Sequence, residues 1–329
     1  MSIGLPFLSV RLHPQPSVYG TDMDVLSDAV AAMRTGRPHS SRRDYHAPWG
    51  TRFDPSDGAG FHVVLRGSAW LVPTEGEPVA LGPGDVAFLA HGRGHALVSA
   101  LEVEPEAVRL GPDGTWPEPP LPARDSTPDT VTLCGAYLLD RTRAHPLLTE
   151  LPEVVHLPAR VGAHRALRAA VELLGMELEE PQPGSDIIVT SLLDTLLLYI
   201  VRAWWQRERR GGAGHPTGWS AALADPAVAA ALRAIHGAPD RPWTVEELGA
   251  HGGLSRAAFA RRFTTLVGEP PLTYLTWWRM TTAGRLLRED DLSLRQIAQR
   301  AGYTSEFAFA KAFKREYGVP PGQYRRRAS

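Results

Sequence analysis

The sequence predicts a multidomain α+β protein: a β-barrel followed by a helical segment in the N-terminal part, then an all-α domain carrying two helix-turn-helix motifs. Three observations carry this. A pattern of about twenty residues is written twice within the last hundred. Short β-prone runs separated by turn residues crowd the stretch from about Tyr45 to Val103. Between these regions, Asp186 to Arg207 repeats apolar residues at helical spacing.

At 329 residues the chain is long enough for two domains, and 43% hydrophobic with 22% charged residues is an ordinary globular composition. The net charge of −1 hides an asymmetry: residues 222–329 hold 16 Lys and Arg against 10 Asp and Glu, whereas residues 1–221 hold 19 against 26. The C-terminal part is the basic one, and both lysines of the chain, Lys311 and Lys314, lie in it. The N-terminus has no basic run leading into an apolar stretch, so no cleaved signal peptide is expected. A single cysteine, Cys134, cannot close an intrachain disulfide. Both observations point to the cytoplasm.

Taken in order, residues 1–21 read as an extended, proline-containing arm. Asp22 to Thr35 reads as a helix with Met23, Leu26, Val30 and Met33 on one side and Gly36 at its end. Strands are expected at Phe61–Leu65, Ser68–Val72 and Val86–Leu89, set apart by G-S, E-G-E-P and G-P-G-D turns, with a further β segment at Thr130–Leu139. Arg165–Gly175 and Asp186–Arg207 read as helices. Along the second, Val189, Leu193, Leu196, Leu197, Ile200 and Trp204 form a wide apolar stripe. Ser191, Asp194 and Arg202 interrupt it, and an Asp near mid-span is costly in lipid, so no membrane partner is expected. Residues 207–221, rich in glycine and polar groups, read as a flexible linker between a domain over 1–206 and another over 222–329.

In the repeat, T-V-E-E-L-G-A-H-G-G-L-S-R-A-A-F-A-R-R-F from Thr244 is matched by S-L-R-Q-I-A-Q-R-A-G-Y-T-S-E-F-A-F-A-K-A-F from Ser293. Thr244 with Glu247, and Ser293 with Gln296, form capping boxes that start one helix in each copy. Gly253 and Gly302 permit a tight turn, and Ser255 and Ser305 cap the next helix. Phenylalanines four residues apart (Phe259 and Phe263, Phe309 and Phe313) give that second helix an apolar face, leaving the other free. Gly268 and Gly318, each followed by Pro-Pro, end it. The motifs thus lie at about 244–267 and 293–317.

This double motif resembles the DNA-binding domain of the AraC/XylS family of bacterial transcription factors over about Asp225 to Arg327. The match includes a linking helix, Leu272 to Arg288, with Tyr274, Trp278, Arg279, Ala283 and Leu287, and the closing G-V-P-P-G-Q-Y-R-R from Gly318. The resemblance implies double-stranded DNA as partner, read at Ala257, Ala260 and Arg261 in the first copy and at Glu306, Phe307, Ala310 and Lys311 in the second. Arginine can bridge guanine O6 and N7, glutamate can accept from cytosine N4, and alanine or phenylalanine can touch a thymine methyl. Arg262, Arg279, Lys314, Arg315 and Arg325 to Arg327 are expected on phosphates, where they fix register without reading sequence. RNA polymerase is a further partner consistent with this family.

Gly84 to His95 (G-D-V-A-F-L-A-H-G-R-G-H) resembles the second cupin motif, with Ala90 in the proline's place. The first motif is incomplete: His62 is present, Val64 replaces the second histidine, and no matching Glu follows. With P-W-G at Pro48 to Gly50, C-G-A-Y at Cys134 and H-P-L-L at His145, the region is similar to the sensor domain of a cupin-bearing subgroup of the same family. That resemblance implies a cupin-like sensor for a small-molecule effector, with Trp49, His62, His91 and His95 as pocket candidates, and a homodimer contact on the 187–205 stripe. On periodicity alone the same stripe closes the barrel's own core equally well. The three histidines read as metal ligands or as satisfied polar and ligand-contacting residues, and Cys134 as an oxidation sensor or a small buried hydrophobe. No cofactor is expected. The function expected is an effector- or stress-responsive transcriptional regulator, not an enzyme; the alternative is a metal-dependent cupin enzyme fused to a DNA-binding module.

Overall fold

The computed structural model describes residues 24–33, 35–36, 38–108, 127–139, 145–159, 164–210, 218–289 and 291–328. The arm expected at 1–21 and the middle of the expected linker, 211–217, lie outside them. Among these residues a short helix, α1 (Val25–Met33), precedes ten strands: β1 (His39–Tyr45), β2 (Gly50–Phe53), β3 (Gly58–Arg66), β4 (Ala69–Pro73), β5 (Val79–Leu81), β6 (Val86–Leu89), β7 (His95–Val98), β8 (Glu106–Val108), β9 (Thr130–Leu138) and β10 (Val155–Leu157). They form two five-stranded sheets, β1-β9-β3-β6-β10 and β5-β4-β7-β2-β8, the double-sheet barrel expected from the turn spacing. Antiparallel pairing sets His62 opposite Cys134 and Phe61 opposite Phe88. Every residue of β6 is buried, and β3 is buried on both faces, with Phe61 and Val63 on one and Val64 on the other.

Short α2 (Pro146–Thr149) leads through β10 to α3 (Arg165–Glu179) and α4 (Ser185–Arg210), which pack on each other and on β1. By length and composition α4 could cross a membrane. Its stripe of Leu193, Leu196, Leu197, Ile200 and Val201, however, is fully buried in the protomer's own core. Each such side chain contributes about 1.5–3 kcal/mol by leaving water. Of the two readings of this stripe, the burial of its leucines and Ile200 favours closure of the barrel domain's own core, with Val189 and Trp204 only half-buried at its ends. The large apolar side chains left exposed on this pair of helices are Leu173, Met176, Ile187 and Ile188.

Among the described residues eight further helices follow: α5 (Trp219–Ala224), α6 (Pro226–Gly237), α7 (Val245–Ala250), α8 (Arg256–Val267), α9 (Pro271–Glu289), α10 (Leu294–Arg300), α11 (Glu306–Tyr317) and α12 (Pro321–Ala328). Both capping boxes form, Thr244 with Glu247 and Ser293 with Gln296. Ser255 and Ser305 each accept from the amide three residues on, and Gly253 and Gly302 take φ of +68° and +75° in the turns. α7 and α8 make the first helix-turn-helix, α10 and α11 the second, and α9 joins them.

The cores do not follow the expected boundary. One continuous apolar core runs from the barrel (Phe61, Phe88, Leu133) through α4 into α5 and α6 (Trp219, Leu232), the first helix-turn-helix (Leu248, Phe259, Phe263) and the first half of α9, ending at Trp278. A separate core, from Met280 to Phe313, belongs to the second helix-turn-helix. Because α4 runs through Arg210 and α5 begins at the buried Trp219, the expected linker at 207–221 is largely helical at both ends.

Candidate DNA-binding surface and sensor cavity

α8 and α11 are amphipathic for a simple reason: Phe259 and Phe263, like Phe309 and Phe313, are wholly buried, so the opposite face has nothing to pack on. On that face the first copy presents Arg256, Ala257, Arg261 and Arg262, with Ala260 at the edge, and the second presents Glu306, Phe307, Lys311 and Lys314, with Ala310 at the edge. Phe307 is 80% exposed. An aromatic ring left in water at the start of a helix contributes nothing to the fold.

The cations expected on phosphate separate into two groups. Lys314 and Arg315 are exposed, with Arg315 hydrogen-bonded to Glu316 beside it at 3.0 Å. Of the rest, Arg326 is exposed, whereas Arg262, Arg279 and Arg325 are engaged within the protein. Arg262 pairs with Asp225, whose other oxygen caps α6 through the amides of Ala227 and Val228. Arg325 donates to the carbonyl of Leu292 at 2.6 Å. Arg279 donates through Nε to Pro239 O at 2.6 Å and through Nη2 to Arg241 O at 2.9 Å. The side chain of Arg327 lies outside those described.

A cavity of about 770 Å³ opens at the barrel, walled by residues of both sheets, β1, β3 and β9 of one and β2, β7 and β8 of the other, and by the α3–α4 pair. Its walls include Phe53, His62, His95, Tyr137, Leu178 and Val189. Two of the four expected pocket residues, His62 and His95, line it. The other two do not: Trp49 is buried and stacked on Tyr45 at 3.9 Å, and the ring of His91 turns away to meet Leu151 O at 2.8 Å. Sequence reading missed Tyr137, Phe53 and the α4 residues. C-G-A-Y had marked the Tyr137 strand, but nothing local in sequence indicates that α4 covers it.

The hydrogen bonds fix the tautomers. Arg93 O can only accept, so His95 Nδ1 carries the proton there, at 3.4 Å, and His95 Nε2 is bare. His62 Nε2–H therefore donates to it at 2.6 Å, and His62 Nδ1 accepts from the Cys134 thiol at 3.0 Å. The chain is neutral throughout. Burial lowers His95 to a pKa of about 4 and holds His62 well below its ordinary value. Burial raises the Cys134 thiol to about 11, far from the thiolate a reactive cysteine needs. As a metal site this set fits poorly: the two nitrogens that would share an ion bond each other, and no carboxylate joins them. Among the described residues no three His, Cys, Asp or Glu side chains converge.

A second neutral chain joins the barrel domain to the first helix-turn-helix. His145 caps α2 by accepting from Leu147 N at 3.1 Å, so its proton sits on Nε2 and faces Tyr274 OH at 3.4 Å. Tyr274 OH in turn donates to His236 Nε2 at 2.7 Å, and His236 Nδ1 faces Asp28 of α1 at 3.6 Å. His145, His236 and Tyr274 are buried, and desolvation lowers both histidines. Trp278 stacks on His236 at 3.7 Å, and Trp219 meets His145 edge-on at 4.3 Å.

Two protein-family models match the chain. Residues 24–206 match the family described as cupin, and residues 248–327 match the helix-turn-helix domain family. A putative AraC-like transcription regulator of Streptomyces lividans is 37% identical over 310 residues, covering 92% of this chain and 98% of its own. The HTH-type transcriptional regulator AlkR of Acinetobacter baylyi is 29% identical, covering 93% of this chain and 100% of its own. The RCS-specific HTH-type transcriptional activator RclR of Escherichia coli is 30% identical, covering 81% of this chain and 84% of its own. With a cupin domain, a capped pair of helix-turn-helix motifs and relatives matched along nearly their whole length, the chain belongs to the AraC-like family of DNA-binding transcription regulators.

Proposed function

We propose that this regulator responds to a small molecule held in the barrel cavity, and that the response reaches DNA through the core shared by the barrel and the first helix-turn-helix. The observation that carries the reading is the position of α4. It walls the cavity with Val189 and Thr190, accepts from Tyr137 OH at Leu193 O (2.8 Å), and continues into the core that contains Phe259 and Phe263. A ligand pressing on α4 acts on an element already packed into the DNA-binding unit, and it shifts the equilibrium by its differential affinity for the two arrangements. Ala257, Ala260, Arg261, Glu306, Phe307, Ala310 and Lys311 are the base-reading set in this account, with Lys314 and Arg315 on phosphate.

A homodimer fits the exposed Leu173, Met176, Ile187 and Ile188 better than the buried stripe. The cytoplasm as location rests on the lone cysteine and the family, and RNA polymerase as partner on the family alone. A barrel that catalyses a metal-dependent reaction is the weaker reading, because its histidines are committed to one another and to Cys134.

The test is to fill the cavity. Val189→Trp in the full-length protein places an indole where a ligand would lie, outside the recognition helices. DNA affinity is expected to change by about fivefold or more, within the usual range of coupling energies. A folded Val189→Trp protein with wild-type affinity for DNA, and wild-type response to metabolite extracts, would contradict the reading.

A further inference from the structure

We propose that Arg279 is a positioning residue that locks the two helix-turn-helix units at one separation and phase, and so determines which half-site spacing the protein accepts on DNA. This rests on the reading that α8 and α11 both engage DNA.

Trp278 belongs to the apolar core of the first unit and Met280 to that of the second, so the cores are discontinuous at this point and α9 passes between them. A single helix joining two packed bodies fixes their separation along its axis. It does not by itself resist bending or swivelling where neither core supports it. Arg279 sits at that seam.

Its guanidinium does two things there. It donates to Pro239 O and Arg241 O, holding the α6–α7 loop of the first unit. It also lies against the turn of the second unit: a Cβ placed on Gly302 would fall 2.8 Å from Arg279 Nη2, 2.9 Å from Cζ and 2.9 Å from Asp240 O. Gly302, at φ +75°, thus brings the second turn's backbone into direct contact with the first unit's loop and with the arginine between them. The group is half-buried, and desolvation lowers its pKa from the ordinary arginine value, the environment of a structural cation and not of a solvent-facing phosphate contact. A planar fork can satisfy two carbonyls while lying flat on a glycine; a lysine ammonium, a point charge on a flexible stem, cannot.

The experiment uses full-length protein and duplexes selected from a random pool by the wild type. One base pair is then inserted or removed between the two protected segments, which turns one half-site relative to the other by about a tenth of a turn. The wild type is expected to lose about tenfold or more on these altered duplexes. Arg279→Lys, which keeps the charge, is expected to lose less than about threefold, to bind a single half-site within about twofold of wild type, and to keep the same salt dependence. Three results would overturn the proposal. Arg279→Lys remains as sensitive to spacing as the wild type; or Arg279→Gln loses about one unit of salt slope on every duplex, which assigns the residue to phosphate; or Arg279→Lys loses single half-site binding, which assigns it to folding of a unit. A wild type that selects no shared sequence defeats the DNA reading itself, and the proposal with it.

Discussion

Phe307 holds 80% of its surface in water at the N-terminal end of α11, where removing the ring leaves no cavity. Phe307→Ala should therefore change unfolding stability by less than about 0.5 kcal/mol, while specific DNA affinity falls by roughly 1–3 kcal/mol at the base it contacts. Thermal unfolding and DNA titration on one preparation check the pair. Arg261→Ala should cost about 1–3 kcal/mol at one base position and relax specificity there, whereas Lys314→Ala should weaken all sequences alike and flatten the salt slope. Equal losses for Arg261→Ala on specific and random DNA would move it to the backbone. The buried histidines make a different prediction. His95 has a folded pKa near 4 against 6.5 for the free group, so the unfolded chain binds the extra proton first as pH falls. Stability is unaffected above about 6.5 and drops between there and 4, by about 1.4 kcal/mol per pH unit for each such histidine. His62, His145 and His236 shift in the same direction. Denaturant midpoints that stay flat from pH 7 to 5 would contradict this. At this scale the sequence revealed the free face of each recognition helix, because caps and phenylalanine spacing fix the helix phase. It did not reveal that His91 and Trp49 turn away from the cavity, which depends on strands distant in sequence.

α4 shows how periodicity identifies a helix without saying what covers it. Leu196 and Ile200 were compatible with a dimer seam or a domain core, and their complete burial within one protomer favours the core. Leu196→Ala should destabilise the barrel domain by about 2–5 kcal/mol. Met176→Asp with Ile187→Asp, at positions 68% and 75% exposed, should leave unfolding unchanged and dissociate any homodimer. Sedimentation of both variants separates the two roles; an unaltered oligomeric state for the double variant would remove this face from assembly. β1 was not legible for a related reason. Its sequence, H-S-S-R-R-D-Y, alternates no apolar residues, and it is a strand because its backbone pairs with β9 along seven residues and α3 and α4 cover it. α8 and α11 were legible to within a residue or two because each carries its own cap and terminator.

For the molecule as a whole, the repeat predicted two similar helical units and the structure adds an inequality between them. The first unit shares its core with the sensor, sealed by the neutral chain from His145 through Tyr274 to His236, and the second packs on its own. Sequence could not show this, since the contacts join residues more than a hundred positions apart, such as His145 and Tyr274. It follows that sensor state should act first on α8, with α11 following through α9 and its arginine seam. The most direct test of the central claim, that one chain reads DNA with both helices, is hydroxyl-radical footprinting of full-length protein on a selected duplex, with the number of bound protomers counted. The account predicts that each protomer protects two major-groove segments on one face of the duplex, roughly 34 Å apart. Protection of a single segment per protomer would contradict it.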